Sequence, residues 1–199
     1  MPRTKEQFDA MRQAAKEKIV AAGLKLFSHK GLAATSIQDI ASMAGVSVGL
    51  VYHYYRSKEE LFNELVETAI TSATAGIQAF LDLALPPAEK IRLLSKEILD
   101  DIKQGNITNQ YYMLMIFCFL DEHIPERSLK MREQAFAPFD LITRIIVEGQ
   151  QRGEIKPGNP AEMAQLYFAA IQGLAVYKLM LKDAFVAPQP DLLAGLLLK

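Results

Sequence analysis

The chain has 199 residues, half of them hydrophobic and 23% charged, with a formal net charge of -1, which fits a globular protein with a sizeable core and excludes a low-complexity chain. Its single cysteine, Cys118, excludes an internal disulfide framework and predicts a reducing compartment. The near-neutral total hides an asymmetry: residues 1–58 hold nine Lys or Arg against four Asp or Glu, a net +5, whereas residues 59–199 hold 13 against 19, a net -6, so one end is suited to a polyanion and the other is not.

The opening MPRTKEQFD is charged and lacks the apolar segment of a secretory signal, so a cytoplasmic location is expected. Residues 1–12 read as a mobile arm that offers Arg3, Lys5 and Arg12 to a phosphate or a minor groove, or as a plain disordered terminus. From Gln13 to His29, Ile19, Ala22, Gly23, Leu26 and Phe27 fall on one helical face, and Gly31 ends the helix. His29, near that end, suits the helix dipole and is given no chemistry. The stretch TSIQDIASMAGVSVGLVYHYYRSK, from Thr35 to Lys58, then organises the N-terminal region. Thr35 or Ser36 caps a short helix with Ile37, Ile40, Ala41 and Ala44 on its buried face; Gly45 stops it, Val46 turns inward, and Ser47 caps a second helix. A connection of about three residues between two short helices is the mark of a helix-turn-helix. On the second helix Val51 and Tyr55 face the core, leaving Val48, Gly49, Tyr52 and His53 outside.

The run Gly45-Val46-Ser47, Gly49, Val51-Tyr52, Tyr54-Tyr55 and Ser57-Lys58-Glu59-Glu60-Leu61 resembles the DNA-binding domain of the tetracycline-repressor (TetR) family of bacterial transcription regulators. The resemblance covers roughly residues 14–65 and implies a dimeric, ligand-controlled repressor. It implies phosphate contacts near Thr35, Ser47, Tyr52, Tyr54 and Lys58, and places Gln38, Val48, Gly49 and His53 nearest the base edges; Ser36 joins the same surface beside Thr35. Tyr54 stands where many members carry His, and Tyr55 where many carry Phe; both keep a ring, so altered contacts on an intact fold are expected.

Residue chemistry agrees with that role. The N-termini at Ser47 and Ser57-Lys58 present unpaired N–H groups and partial positive charge to phosphate oxygens, which positions a protein on DNA without reading sequence. Val48 and Leu50 can touch a thymine methyl, and Gln38 is built for a bidentate contact to adenine, so modest direct readout supplemented by DNA shape is expected. Gly45-Val46-Ser47-Val48-Gly49 also matches the G-x-S-x-G elbow of serine hydrolases, but that elbow follows a buried strand and this one follows a helical segment. Three histidines at 29, 53 and 123 show no ligand spacing, so no metal, cofactor or catalytic residue is expected.

From Ser57 a capping-box pattern starts a long helix toward Leu83 with Leu61, Phe62, Leu65, Val66, Ala69 and Ile70 apolar, the mechanical link between two domains. Pro86-Pro87 breaks it. A helix from Ala88 to about Lys103 turns Ile91, Leu94, Ile98 and Leu99 inward, and Gln104-Gly105-Asn106 closes it. Asn109 to Glu122 has no polar face over Tyr111–Leu120 and is expected to be surrounded on all sides; within it Tyr111, Tyr112, Met115 and Phe119 are the candidates to line a cavity for a small apolar or amphipathic effector. Asp121-Glu122-His123 diverge on a helix and form no metal site, and Asn106-Ile107-Thr108 is a chance glycosylation match. Pro125 starts another helix that Pro138 interrupts. A helix from about Ala137 to Gln151, stopped by Gly153, carries Leu141, Ile142, Ile145, Ile146 and Val147; a last long helix runs from Ala161 to about Asp183. A short helix is expected in the tail from Asp191 to Lys199. The apolar stretches 111–120 and 163–177 are too short or interrupted to span a bilayer, so no membrane partner is expected.

The reading is therefore an all-α fold: a three-helix helix-turn-helix DNA-binding domain at 1–56 and a helical ligand-binding and dimerisation domain at 57–199, with double-stranded DNA, a small-molecule effector and a second copy of the chain as partners. Dimerisation is expected through the last two long helices, because half-sites read by a helix-turn-helix call for two-fold symmetry. The rival readings are a helical small-molecule-binding protein that does not touch DNA, and a hydrolase using Ser47.

Overall fold

The structure, a computed structural model, describes residues 5–105, 107–120 and 134–199. Among the described residues it has nine α-helices: α1 Lys5–Lys30, α2 Ile37–Ala44, α3 Val48–Tyr54, α4 Lys58–Leu81, α5 Pro87–Gln104, α6 Ile107–Leu120, α7 Ala137–Gln151, α8 Pro160–Leu181 and the short α9 Pro190–Ala194. The expectations on Arg3, Asn106, Asp121-Glu122-His123 and the helix at Pro125 lie outside the described residues.

Two clusters of buried side chains organise these helices. The first gathers Ile19, Leu24 and Phe27 of α1, Ile37 and Ile40 of α2, Val51 of α3, and Leu61 through Ile70 of α4, together with Leu114 and Cys118 of α6. The second joins Ile77 of α4 to Ile91 and Ile102 of α5, Ile142 and Ile146 of α7, and Tyr167 and Ile171 of α8. Helix α4 contributes to both, as its sequence predicts for a link. The packing does not divide between residues 56 and 57, because the first cluster runs through Ile70 and takes in α6.

Three expectations are corrected. The stretch read as a mobile arm is helical from Lys5: alanines and long charged residues favour helix without needing burial, and Gln13 Nε2 donates to Glu17 Oε1 one turn on at 3.0 Å. Helix α6 is not enclosed on all sides. Among its described side chains only Asn109, Leu114 and Cys118 are buried, while Ile107 is 53% and Phe119 39% exposed, because one flank of the helix borders a cavity. Val147 lies on the outer face of α7, 39% exposed, whereas Leu141, Ile142, Ile145 and Ile146 are buried.

By length and composition alone, residues 160–184 are long and apolar enough to cross a membrane. Yet Tyr167, Phe168, Ile171 and Ala175 set that segment into the second cluster. Its opposite side leaves Leu166, Tyr177, Met180 and Leu181 exposed. The tail is held by Leu193, Ala194, Leu197 and Leu198, buried in the second cluster, and by an antiparallel bridge between Ile155 and Leu198.

Candidate nucleic-acid interface

The N-terminal three-helix unit is held by local hydrogen bonds that also shape its outer surface. Ser36 caps α2 through a complete capping box: its Oγ accepts from Asp39 N–H and its own N–H donates to Asp39 Oδ2, both at 3.1 Å. Those two bonds, with Lys30 Nζ at 3.2 Å, hold the exposed Asp39 carboxyl below its usual range. Gly45, at φ 67, closes α2 by donating to Ala41 and Ser42 carbonyls. Ser47 Oγ accepts from Leu50 N–H at 3.2 Å to start α3, and Ser57 Oγ accepts from Glu60 N–H at 3.3 Å to start α4. The serine caps read from sequence are thus present at all three helix starts, with Ser36 rather than Thr35 as the first, but the capping box expected at Ser57 is incomplete, because Glu60 Oε2 accepts from Arg56 N–H at 2.6 Å and not from Ser57 N–H.

The ten residues expected at DNA separate into two groups. Gln38, Ser47, Gly49, Tyr52 and His53 are exposed, with Tyr52 at 52%; Ser36 and Val48 are partly buried beside them. Thr35, Tyr54 and Lys58 are turned to other work. Thr35 is 1% exposed and its hydroxyl donates to the Gly31 carbonyl at 2.8 Å. Tyr54 Oη donates to the Arg12 carbonyl at 2.9 Å, tying α3 back to α1. Lys58 Nζ donates to the carbonyls of Leu32 (2.8 Å), Ala33 (3.3 Å) and Thr35 (2.9 Å), closing the turn between α1 and α2. Arg56, which the sequence reading passed over, is exposed and lines an open groove with Ser36, Gln38, Tyr52 and Ser57; its place one residue after the buried Tyr55 was the available signal.

Gly49 is informative because nothing in the fold requires it. A Cβ there would meet no protein atom within 4 Å, and glycine inside a helix costs about 0.5–1 kcal/mol relative to alanine. Behind this surface Tyr55 is buried, its Oη donating to Glu64 Oε1 at 3.1 Å, and burial followed by the Glu64 charge pushes its phenol upward. The Gly45–Gly49 run lies between two helices, with Ser47 engaged as a cap, so the strand that a nucleophile elbow requires does not precede it.

The second site is a cavity of about 500 Å³ bounded by α4, α5, α6, α7 and α8, within the range of small-molecule sites. All four residues singled out on α6, Tyr111, Tyr112, Met115 and Phe119, stand on its wall. So do residues the sequence reading missed: Ala73 and Gly76 of α4, Asp101 of α5, Phe139 of α7, and Phe168 and Gln172 of α8. The small-residue run from Thr71 to Gly76 was the sequence signal, since small side chains leave space. Burial pushes Tyr112 upward, with Tyr167 and Asp101 adding to it, and pushes Tyr167 to about 12 despite an opposing 2.8 Å hydrogen bond to Ser95.

Residues 19–65 match the model of bacterial regulatory proteins of the tetR family. The N-terminal segment is therefore similar to the DNA-binding domain of that family. Among curated TetR-family relatives, the repressor KstR2 of Mycolicibacterium smegmatis is 32% identical over 76 residues, 38% of this chain and 37% of that protein. The repressor DhaR of Mycobacterium sp. strain GP1 is 24% identical over 165 residues, 81% of each chain. The first alignment thus spans about a third of its relative, and the second most of it. In fold, the MbdR regulator from Azoarcus sp. CIB superposes with a TM-score of 0.73 at 22% identity, over 91% of this chain and 93% of that one. These relatives are transcription regulators and not enzymes.

Proposed function

We propose that the chain is a homodimeric, cytoplasmic repressor that leaves a palindromic operator when a small apolar or amphipathic molecule occupies the cavity. The observation that carries this reading is the double role of α6. Tyr111 and Met115 stand on the cavity wall, while Leu114 and Cys118 are buried in the cluster that holds α1, α2 and α3. Phe117 presses on the turn after α1, where a Cβ on Gly31 would come within 3.3 Å of its ring. A ligand that favours one setting of α6 therefore biases the placement of the recognition helix, which is a population shift and not a new contact with DNA.

In the DNA-bound form, α3 enters the major groove. Ser47, Val48, Gly49, Tyr52 and His53 face the bases and adjoining backbone, with Gln38 at the edge. The starts of α2 and α4 at Ser36 and Ser57, with Arg56, hold phosphates. Thr35, Tyr54 and Lys58 act indirectly, by fixing the angles between these helices. Two copies pair through the last two long helices, whose exposed apolar residues are Leu166, Tyr177, Met180 and Leu181 on α8 and Val147 on α7, as expected of an unpartnered interface. Pairing sets the two α3 helices one turn of DNA apart, about 34 Å.

Fluorescence anisotropy on a fragment from the region upstream of its own gene, paired with sedimentation, tests the reading. The expected result is a dimer per site, with affinity falling steeply as salt rises. A monomer at micromolar concentration that retards no such fragment overturns it.

A further inference from the structure

Helix α3 is seven residues long and Val51 is its one fully buried residue, so burial alone leaves its tilt loosely fixed. What holds its end is polar. Tyr55, the residue that follows α3, is 2% exposed, and its phenol donates to Glu64 Oε1 of α4 at 3.1 Å. The same carboxylate oxygen accepts from Lys16 Nζ of α1 at 3.0 Å, and that ammonium lies 5.7 Å from the centre of the Tyr55 ring. Helices α1 and α4 and the end of α3 thus meet at one oxygen, where Lys16 steadies the carboxylate that the phenol needs. Two further bonds frame this point. Glu60, one turn before Glu64, accepts from Arg56 N–H at 2.6 Å, and the Tyr54 hydroxyl donates to the Arg12 carbonyl of α1 at 2.9 Å. As a source of stability, an ion pair whose side chains are 38% and 43% exposed adds little. Its leverage is angular: Tyr55 sits one turn from Val51, so a shift of the phenol swings the face that carries Gly49, Tyr52 and His53.

Resting on the reading of α3 as the helix that enters the groove, we infer that Lys16 and Glu64 are positioning residues for DNA binding. They act through the Tyr55 hydroxyl to hold α3 at the angle the groove accepts, and neither touches DNA. A change that loosens this hold lowers the share of molecules in the binding-competent orientation, and the apparent affinity falls with that share.

Anisotropy titration of the intact protein against a fragment from the region upstream of its own gene, at several salt concentrations, tests the assignment. Tyr55→Phe keeps the ring and loses the bond; the expected result is about tenfold weaker binding with an unchanged salt slope. Glu64→Leu gives a loss of the same size, although removing a negative charge would by itself tighten binding to a polyanion. Glu64→Gln, whose amide oxygen still accepts from the phenol, restores most of it. Lys16→Met binds about threefold more weakly than Lys18→Met, which removes the same charge from an exposed site on the same helix. In the Tyr55→Phe background the two lysine variants become equal, because Lys16 acts through that hydroxyl. A purely structural role would lower the urea midpoint and leave the affinity of the folded protein as it was. Tyr55→Phe and Lys16→Met keep the packing, so the test stands even where Glu64→Leu does not fold. Wild-type affinity in Tyr55→Phe, equal losses in the two single lysine variants, or a salt slope reduced by about one in Lys16→Met overturns the assignment while leaving α3 as the recognition helix. An intact protein that binds no upstream fragment removes the assignment and the reading of α3 together.

Discussion

The two functional regions of this chain are built on opposite principles. Around α2 and α3 each helix start and turn is fixed by a side chain bonded to backbone: Ser36 with Asp39, Ser47, Ser57, Thr35, and the three-carbonyl clamp of Lys58. Around the cavity the walls are rings and small residues, and polar atoms are left over. The Tyr112 phenol is one: Tyr112 stands on the wall and its hydroxyl makes no hydrogen bond to another described residue. A surface that must match a DNA groove gains from fixed angles, whereas a site that must accept a guest gains from unspent contacts. Helix α6 touches both regions, and the proposed function assigns it the communication between them.

The largest expected effect on this contrast comes from Leu114→Ala. Leu114 is 0% exposed and lies in the N-terminal cluster although α6 belongs to the cavity; truncation should cost about 2–5 kcal/mol of stability. Urea denaturation reads this directly, and a loss below about 1 kcal/mol would mean that α6 is only loosely attached to the DNA-binding unit.

Alkaline titration probes the cavity side. Tyr167 has its phenol raised from 10.0 to about 12 by burial, so the folded state holds its proton more tightly than the unfolded one. The stability this represents is complete below pH 10 and is lost as pH rises toward 12, about 2–3 kcal/mol in all. Tyr167→Phe should therefore flatten the decline measured between those two pH values; an unaltered slope would place the titrating group elsewhere.

Lys58→Met breaks the clamp on the α1–α2 turn and should cost about 2 kcal/mol, since hydrogen bonds from a charged donor are worth more than neutral ones. It should weaken DNA binding while changing the salt slope by much less than one phosphate contact. A full unit lost from that slope would instead return Lys58 to the phosphates. The smallest effect is Gly49→Ala, which should stabilise the fold by about 0.5–1 kcal/mol and yet weaken operator binding, because the added methyl points into the open space outside α3, which the proposed function assigns to DNA. Unchanged affinity would leave the glycine without a role.

What the sequence made legible follows the same division. The N-terminal unit could be read almost residue by residue, because caps, the left-handed Gly45 and the buried spacing of Ile37, Ile40 and Val51 are local signals. Lys58 and Tyr54 escaped that reading because their partners lie 23–42 positions away in the chain. On the cavity side Tyr111, Tyr112, Met115 and Phe119 stood out because α6 lacks a polar face. Asp101, Phe139 and Phe168 did not, since a cavity is defined by what five helices jointly leave unfilled, and no single helix records that. The N-terminal extent of α1 was missed for a different reason: residues 9–14 are exposed, so no apolar face marked them.

The central claim is that cavity and recognition helix share one equilibrium through α6. Anisotropy titration of an upstream fragment at fixed salt, with and without saturating 1-decanol, tests it most directly. The account expects weaker DNA binding in the presence of the alcohol, and, by linkage, decanol affinity reduced by the same factor when DNA is bound. Equal DNA affinity in both titrations, with decanol shown by calorimetry to be bound, would contradict it.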